Sequence, residues 1–235
     1  MPRRHGIWQL AAIHRRTVGV RAEQLALNVV RITARNTLPA GSATQDCVYT
    51  IYGDGSVEIE SSFKPGSTPL PDLPRVGMQM RVIGSLKNVE WYGRGPQENY
   101  WDRNLGSAVG LYRDTVENLW FPYIEPQETG NRTDVRWVAI TDDQGFGLKA
   151  TGMPLLNFSA WPFRMSELEH EKMPLNIGHK HSAEVEYSPD ITVNLDYRQM
   201  GVGGDDAWGA PTHAEFSLPA KEYEYKFRLE PLTGK

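Results

Sequence analysis

Val48-Tyr49-Thr50-Ile51-Tyr52-Gly53-Asp54-Gly55-Ser56-Val57-Glu58-Ile59-Glu60 decides the fold class. Two short runs of β-branched and aromatic residues flank a loop whose Asp54-Gly55 pair readily takes positive φ, which predicts an antiparallel hairpin. The same reading joins Val135–Ile140 to Phe146-Gly147-Leu148 through residues 141–145. Near the C-terminus, Tyr223, Tyr225, Phe227 and Leu229 alternate with Glu222, Glu224, Lys226 and Arg228, so one set faces a core and the other faces water. Leu25–Thr33 alternates well enough to be read as one half-buried strand. Only Ser166-Glu167-Leu168-Glu169 argues for helix, with Ser166 as cap and Glu169 reaching back over one or two turns. With 22 Gly, 16 Pro and 10% aromatic residues, the expected class is all-β, with many short strands and one or two short helices.

The chain of 235 residues is long enough to bury a substantial core, and it is read as a single domain, 1–235. Residues 64–75 carry Pro65, Pro69, Pro71 and Pro74, which remove ladder donors; they are read as an internal connection between strand layers, because similar strand patterns continue on both sides, with a domain boundary as the competing reading. Lys plus Arg number 25 against 29 Asp plus Glu, a net charge of −4 that gives no reason to attract nucleic acid. The single Cys47 excludes an internal disulfide and a paired-cysteine zinc site. Mean hydropathy is −0.49. No apolar run approaches the roughly 20 residues of a membrane helix, so no membrane partner is expected. Met1–Gly6 is basic with no continuous apolar core after it, so it is not read as a signal peptide, and the expected compartment is the cytoplasm.

Three segments are too polar and Gly-rich for ordinary strands. In Trp91–Arg103, structural ion pairing among Arg94, Glu98, Asp102 and Arg103 competes with sugar stacking on Trp91, Tyr92 and Tyr100. In Pro122–Asp134, Glu125 and Glu128 invite a glycosidase reading, but sequence spacing does not establish the separation of about 5 Å or more between two catalytic carboxylates. The Asn131 and Asn157 sequons are read as chance matches. The third segment, Gln199–Pro211, holds Gly203, Gly204, Asp205, Asp206 and Trp208. Ordering such glycines costs entropy without aiding a core, so function is sought here: Trp208 as an aromatic platform, with Asp205 and Asp206 bracing the loop on backbone amides or arginines, against a Trp that plugs the loop on the sheet. His179 and His181, with His170 and His213, are weighed as a metal or acid–base cluster on a strand, against hydrogen-bonded structural histidines.

Together, Trp91–Tyr100, Asp102-Arg103, Tyr123–Arg132 and Met200–Trp208 occur in an order that resembles the C-terminal domain, or small chain (domain 5), of large bacterial β-galactosidases of glycoside hydrolase family 2. The resemblance runs from about Trp8 to the C-terminus and includes the Asp54-Gly55 hairpin and the Pro74–Gly77 strand entry. It implies an antiparallel supersandwich of the galactose mutarotase-like kind. It implies that the catalytic glutamates, magnesium and sodium belong to a separate (β/α)₈ barrel, covalently joined or a separate large chain, leaving no catalytic residue, metal or cofactor in this one. Trp208 matches the position that stacks on a β-galactoside such as lactose, supported by Gly203, Gly204, Asp205 and Asp206. Members of the family open with further strands and an Arg-x-Pro-Thr-Asp-Asn-Asp-like segment that is missing before Gly6, so a domain lacking its first strands is expected. A stand-alone carbohydrate-binding module, or an epimerase using His179 or His181, is the alternative.

Overall fold

A computed structural model describes residues 2–9, 11–169, 178–206 and 209–234. Among the described residues eleven strands form, in chain order: β1 (Arg16–Ala26), β2 (Val29–Thr37), β3 (Thr44–Tyr52), β4 (Val57–Lys64), β5 (Arg75–Ile83), β6 (Asn88–Gly95), β7 (Ala108–Thr115), β8 (Arg132–Thr141), β9 (Phe146–Trp161), β10 (Asp190–Gln199) and β11 (Tyr223–Thr233). The hydrogen-bonded order is β1-β2-β3-β4-β11-β9-β8-β6-β7, with β10 pairing β9 and β5. Every pairing is antiparallel.

β9 makes this a sandwich. Its first half pairs with β11 from Phe146 to Met153, and its last residues, Asn157–Trp161, pair with β10. The two strand groups that leave β9 in this way pack on one apolar cluster, where Ile59, Tyr225 and Phe227 meet Val89, Trp91, Phe158, Val193 and Leu195. The expected all-β class is therefore what the structure has. The Asp54-Gly55 hairpin forms as read: Gly55 sits at φ 83°, its N–H donates to Tyr52 O at 3.0 Å, and Asp54 Oδ1 accepts from Ser56 N at 2.8 Å. β8 and β9 form the second expected hairpin, and β11 buries Tyr223, Tyr225 and Phe227 as its alternation requires.

Three local readings are corrected. Leu25–Thr33 is not one strand: Leu27 and Asn28 turn the chain between β1 and β2, with Ala26 paired to Val29 and Leu27 96% exposed. A two-residue reversal preserves the parity of a period-two pattern, so alternation alone runs through it. Ser166 caps nothing, because the turn is a 3₁₀ segment, Met165–Leu168, that follows Arg164 without a side-chain cap bond. Its register is set by tertiary pairing of Glu167 with His179 rather than by a capping box. A helix, α1 (Pro2–Gln9), also precedes β1. Contact with the proline-rich connection holds it, since Trp8 Nε1 donates to Pro71 O at 3.1 Å and His5 Nδ1 lies 2.8 Å from Asp72 O.

Candidate functional site

The three polar segments come together against the start of β5 and the end of β10. Glu98 is the hub of the first two. Its Oε1 accepts from Arg103 Nη2 at 2.7 Å and from the Tyr123 hydroxyl; its Oε2 accepts from Gly130 N at 2.6 Å and Thr129 Oγ1 at 3.1 Å. Asn99 adds a second lock, exchanging backbone and side-chain bonds with Asn131 and accepting from Thr133 N at 2.9 Å. Arg132 is buried and donates to the carbonyls of Leu119, Gly130 and Pro96 at 2.5, 2.7 and 3.0 Å. Desolvation, opposed by Glu98, brings its pKa down to about 10.

Below this lock lies an ionic cluster that sequence reading missed. Arg75, the first residue of β5, donates through Nη2 to both oxygens of Glu128 at 3.1 Å and to Gln199 Oε1 at 2.8 Å. Its Nε stands 3.1 Å from Asp196 Oδ2, but the alignment is not that of a hydrogen bond, and neither buried oxygen of Asp196 has a donor. Burial therefore pushes Asp196 up to about 7, against the pull of Arg75. Burial likewise raises Glu128 against the same arginine. A sequence signal for this cluster would have to link Arg75 to partners 53 and 124 positions away.

These contacts answer the candidate assignments. Glu98 is saturated by four donors and Glu128 is tied to Arg75 and Tyr100, so both brace loops, while Glu125 is exposed. Trp91 and Tyr100 are each 1% exposed and offer no sugar-stacking face, whereas Tyr92 is exposed beneath the Arg136 guanidinium. The sequon residues Asn131 and Asn157 are buried. His179 and His181 do not lie on a strand: His179 is buried with Nε2 2.6 Å from Glu167 Oε2, and His181 is exposed. His170 lies outside the described residues. Among the described residues no group of three or more His, Cys, Asp and Glu could hold a metal ion.

The Gly-rich loop leaves β10 at Met200 and rises from buried Gly201 to exposed Gly203, Gly204, Asp205 and Asp206. Asp205 Oδ1 meets His213 Nε2 at 2.8 Å, and that bond raises the pKa of the imidazole. Asp206 Oδ1 accepts from Ala210 N at 3.3 Å, and Gly204 has no room for a Cβ, which would lie 2.1 Å from Ala210 O. Trp208 lies outside the described residues.

The geometry is that of a β-sandwich whose loops are cross-braced by Glu98, Arg132 and the Arg75 cluster. Residues 2–229 match the family described as the β-galactosidase small chain, and the chain belongs to that family. It is 38% identical over 226 residues to a β-galactosidase of Priestia megaterium, which covers 96% of this chain and 21% of that protein. It is 32% identical over 228 residues to a β-galactosidase of Halalkalibacterium halodurans, over 95% and 22% of the two lengths. A β-galactosidase of Streptococcus thermophilus is 31% identical over 229 residues, 96% of this chain and 21% of that one. The chain thus spans about a fifth of the length of these relatives. Among solved structures, a galactose 1-epimerase from Lactobacillus acidophilus is 11% identical with a TM-score of 0.46, covering 92% of this chain and 66% of that one. An α-galactosidase from Lactobacillus brevis is 10% identical with a TM-score of 0.38, covering 94% and 26%.

Proposed function

We propose that this chain is the C-terminal sandwich of a β-galactosidase of glycoside hydrolase family 2, and that it completes the active site for cleavage of terminal β-D-galactosides such as lactose in the cytoplasm. Trp208 supplies an apolar face for the sugar, and the Gly203–Asp206 run carries it beyond its own sandwich. The acid/base and nucleophile carboxylates, with magnesium and sodium, belong to a catalytic (β/α)₈ barrel outside this chain, joined to it or separate. The observation that carries the reading is the loop itself: a glycine run anchored in the buried floor at Gly201 and exposed from Gly203 to Asp206 gives the sandwich no core.

Steady-state kinetics of the complete enzyme with lactose test it, comparing wild type, Trp208→Phe and Trp208→Ala. Loss of an aromatic–sugar contact of about 1–3 kcal/mol raises KM roughly 5- to 150-fold if ground and transition states are stacked alike. The Phe variant keeps most of the contact. Unchanged KM and kcat in a folded Ala variant would make Trp208 a plug of its own loop.

A further inference from the structure

Asp102 sits about a hundred positions before the Gly-rich loop, yet its carboxylate reaches that loop directly. Oδ2 accepts from Val202 N at 2.9 Å and from Gly203 N at 2.8 Å, so one oxygen gathers two successive amides. Successive N–H groups aimed at one anion form a compact, strongly directional cradle. The glycines fit this clasp. A Cβ at Gly201 would lie 2.9 Å from Asp102 Cγ and 2.5 Å from Thr212 Oγ1, and one at Gly203 would lie 3.3 Å from Asp102 Oδ2. Gly203 is not among the residues with positive φ, so close approach to the carboxylate, rather than backbone conformation, is what its missing side chain serves.

The backbone on either side of Asp102 is tied down through its neighbours, while its second carboxylate oxygen, Oδ1, is buried without a hydrogen-bond partner among the described residues. Arg103 N donates to Tyr100 O at 2.7 Å, the Arg103 guanidinium stands 4.8 Å over the Tyr100 ring, and its Nη2 ends on Glu98. Tyr100 is buried and its hydroxyl reaches Glu128 at 3.4 Å. The position of the loop is thereby referred to the Glu98 lock and the Arg75 cluster, both fixed in the sandwich.

We propose that Asp102 is a positioning residue for substrate binding: it fixes the path of residues 201–206, the stretch that leads to Trp208. This rests on the reading of Trp208 given above. Asp102 touches no reacting atom, so its loss acts on KM through the loop and leaves kcat near the wild-type value.

The test is steady-state kinetics on the complete enzyme with lactose for Asp102→Ala, Asp102→Asn, Gly203→Ala, Trp208→Ala and the Asp102→Ala/Trp208→Ala double variant. Asp102→Ala is expected to raise KM by about 5- to 50-fold with kcat within about threefold. Asp102→Asn keeps a carbonyl acceptor and recovers most of the loss. The double variant is expected to be no worse than Trp208→Ala, because one effect passes through the other. Gly203→Ala, whose new methyl meets only Asp102, raises KM in the same direction by a smaller factor and serves if Asp102→Ala does not fold. If Trp208→Ala raises KM while Asp102→Ala and Gly203→Ala do not, or if the two losses multiply in the double variant, the positioning role is overturned and the reading of Trp208 stands. If Trp208→Ala itself leaves KM unchanged, that reading fails.

Discussion

Asp196→Asn is the most informative single change in the sandwich, because it removes a buried carboxylate whose two oxygens have no hydrogen-bond donor. Among the described residues the only cation against it, Arg75 Nε at 3.1 Å, is shared with Glu128, so the ionised form is poorly compensated. Its pKa rises from 3.8 to about 7 on folding. The folded chain therefore keeps a proton that the unfolded chain has lost across that window. The associated stability is fully present below about pH 4 and is lost as pH rises through about 7. At about 1.4 kcal/mol per unit, the full swing is on the order of 4 kcal/mol. Asparagine cannot titrate, and Glu128 titrates in both proteins and cancels to first order. Urea denaturation of wild type and variant, at about pH 4 and about pH 8, should give a variant that gains on wild type by several kcal/mol at the higher pH. A difference that stays flat across this range, or that favours wild type more as pH rises, would refute the picture of an uncompensated buried carboxylate.

Other expectations follow from neighbouring contacts. Phe158, fully buried and edge-on to Trp91 with ring centroids 5.7 Å apart, is expected to cost about 3–5 kcal/mol on replacement by Ala, read as a lower urea midpoint with unchanged slope. The Asp205–His213 bond raises the histidine, so its contribution to loop order is present below the unfolded value of 6.5 and fades as pH rises through the higher folded value. NMR titration should find the His213 midpoint above that of the Asp205→Asn variant; equal midpoints would show no bond in solution. The purified chain alone should hydrolyse no β-galactoside, because its two best-placed carboxylates, Glu98 and Glu128, are already saturated or paired with arginine. Activity that persists through repurification and vanishes in Glu98→Gln or Glu128→Gln would contradict this.

The strands were legible where local chemistry and tertiary fate agree. Gly55 takes the positive φ that its hairpin needs, and the Tyr223–Leu229 alternation maps onto the buried side of β11. The β1–β2 turn was hidden because Leu27-Asn28 carries no glycine and leaves the alternation intact. The ion cluster was hidden for a different reason. Arg75, Glu128 and Asp196 meet only because β5 pairs with β10 while the 116–131 connection folds across them, and no local pattern encodes that meeting. The glycine run reads as costly from sequence, which offers only Asp205 and Asp206, inside the loop, as its braces. The carboxylate that gathers its amides is Asp102, at the far end of a different loop. Glu128 illustrates the converse: a carboxylate in a Gly- and Pro-rich loop invites a catalytic reading, and only its donors reveal it as a brace.

The central claim is that this sandwich lends an aromatic side chain to a substrate pocket built mainly by the rest of a β-galactosidase. A crystal structure of the complete enzyme with a bound β-galactoside tests it most directly. The Trp208 indole is expected within about 4 Å of a sugar ring, face on, with the Asp102 carboxylate still holding the amides of Val202 and Gly203. An indole packed back on its own sandwich, with no atom in contact with the bound galactoside, would contradict the account.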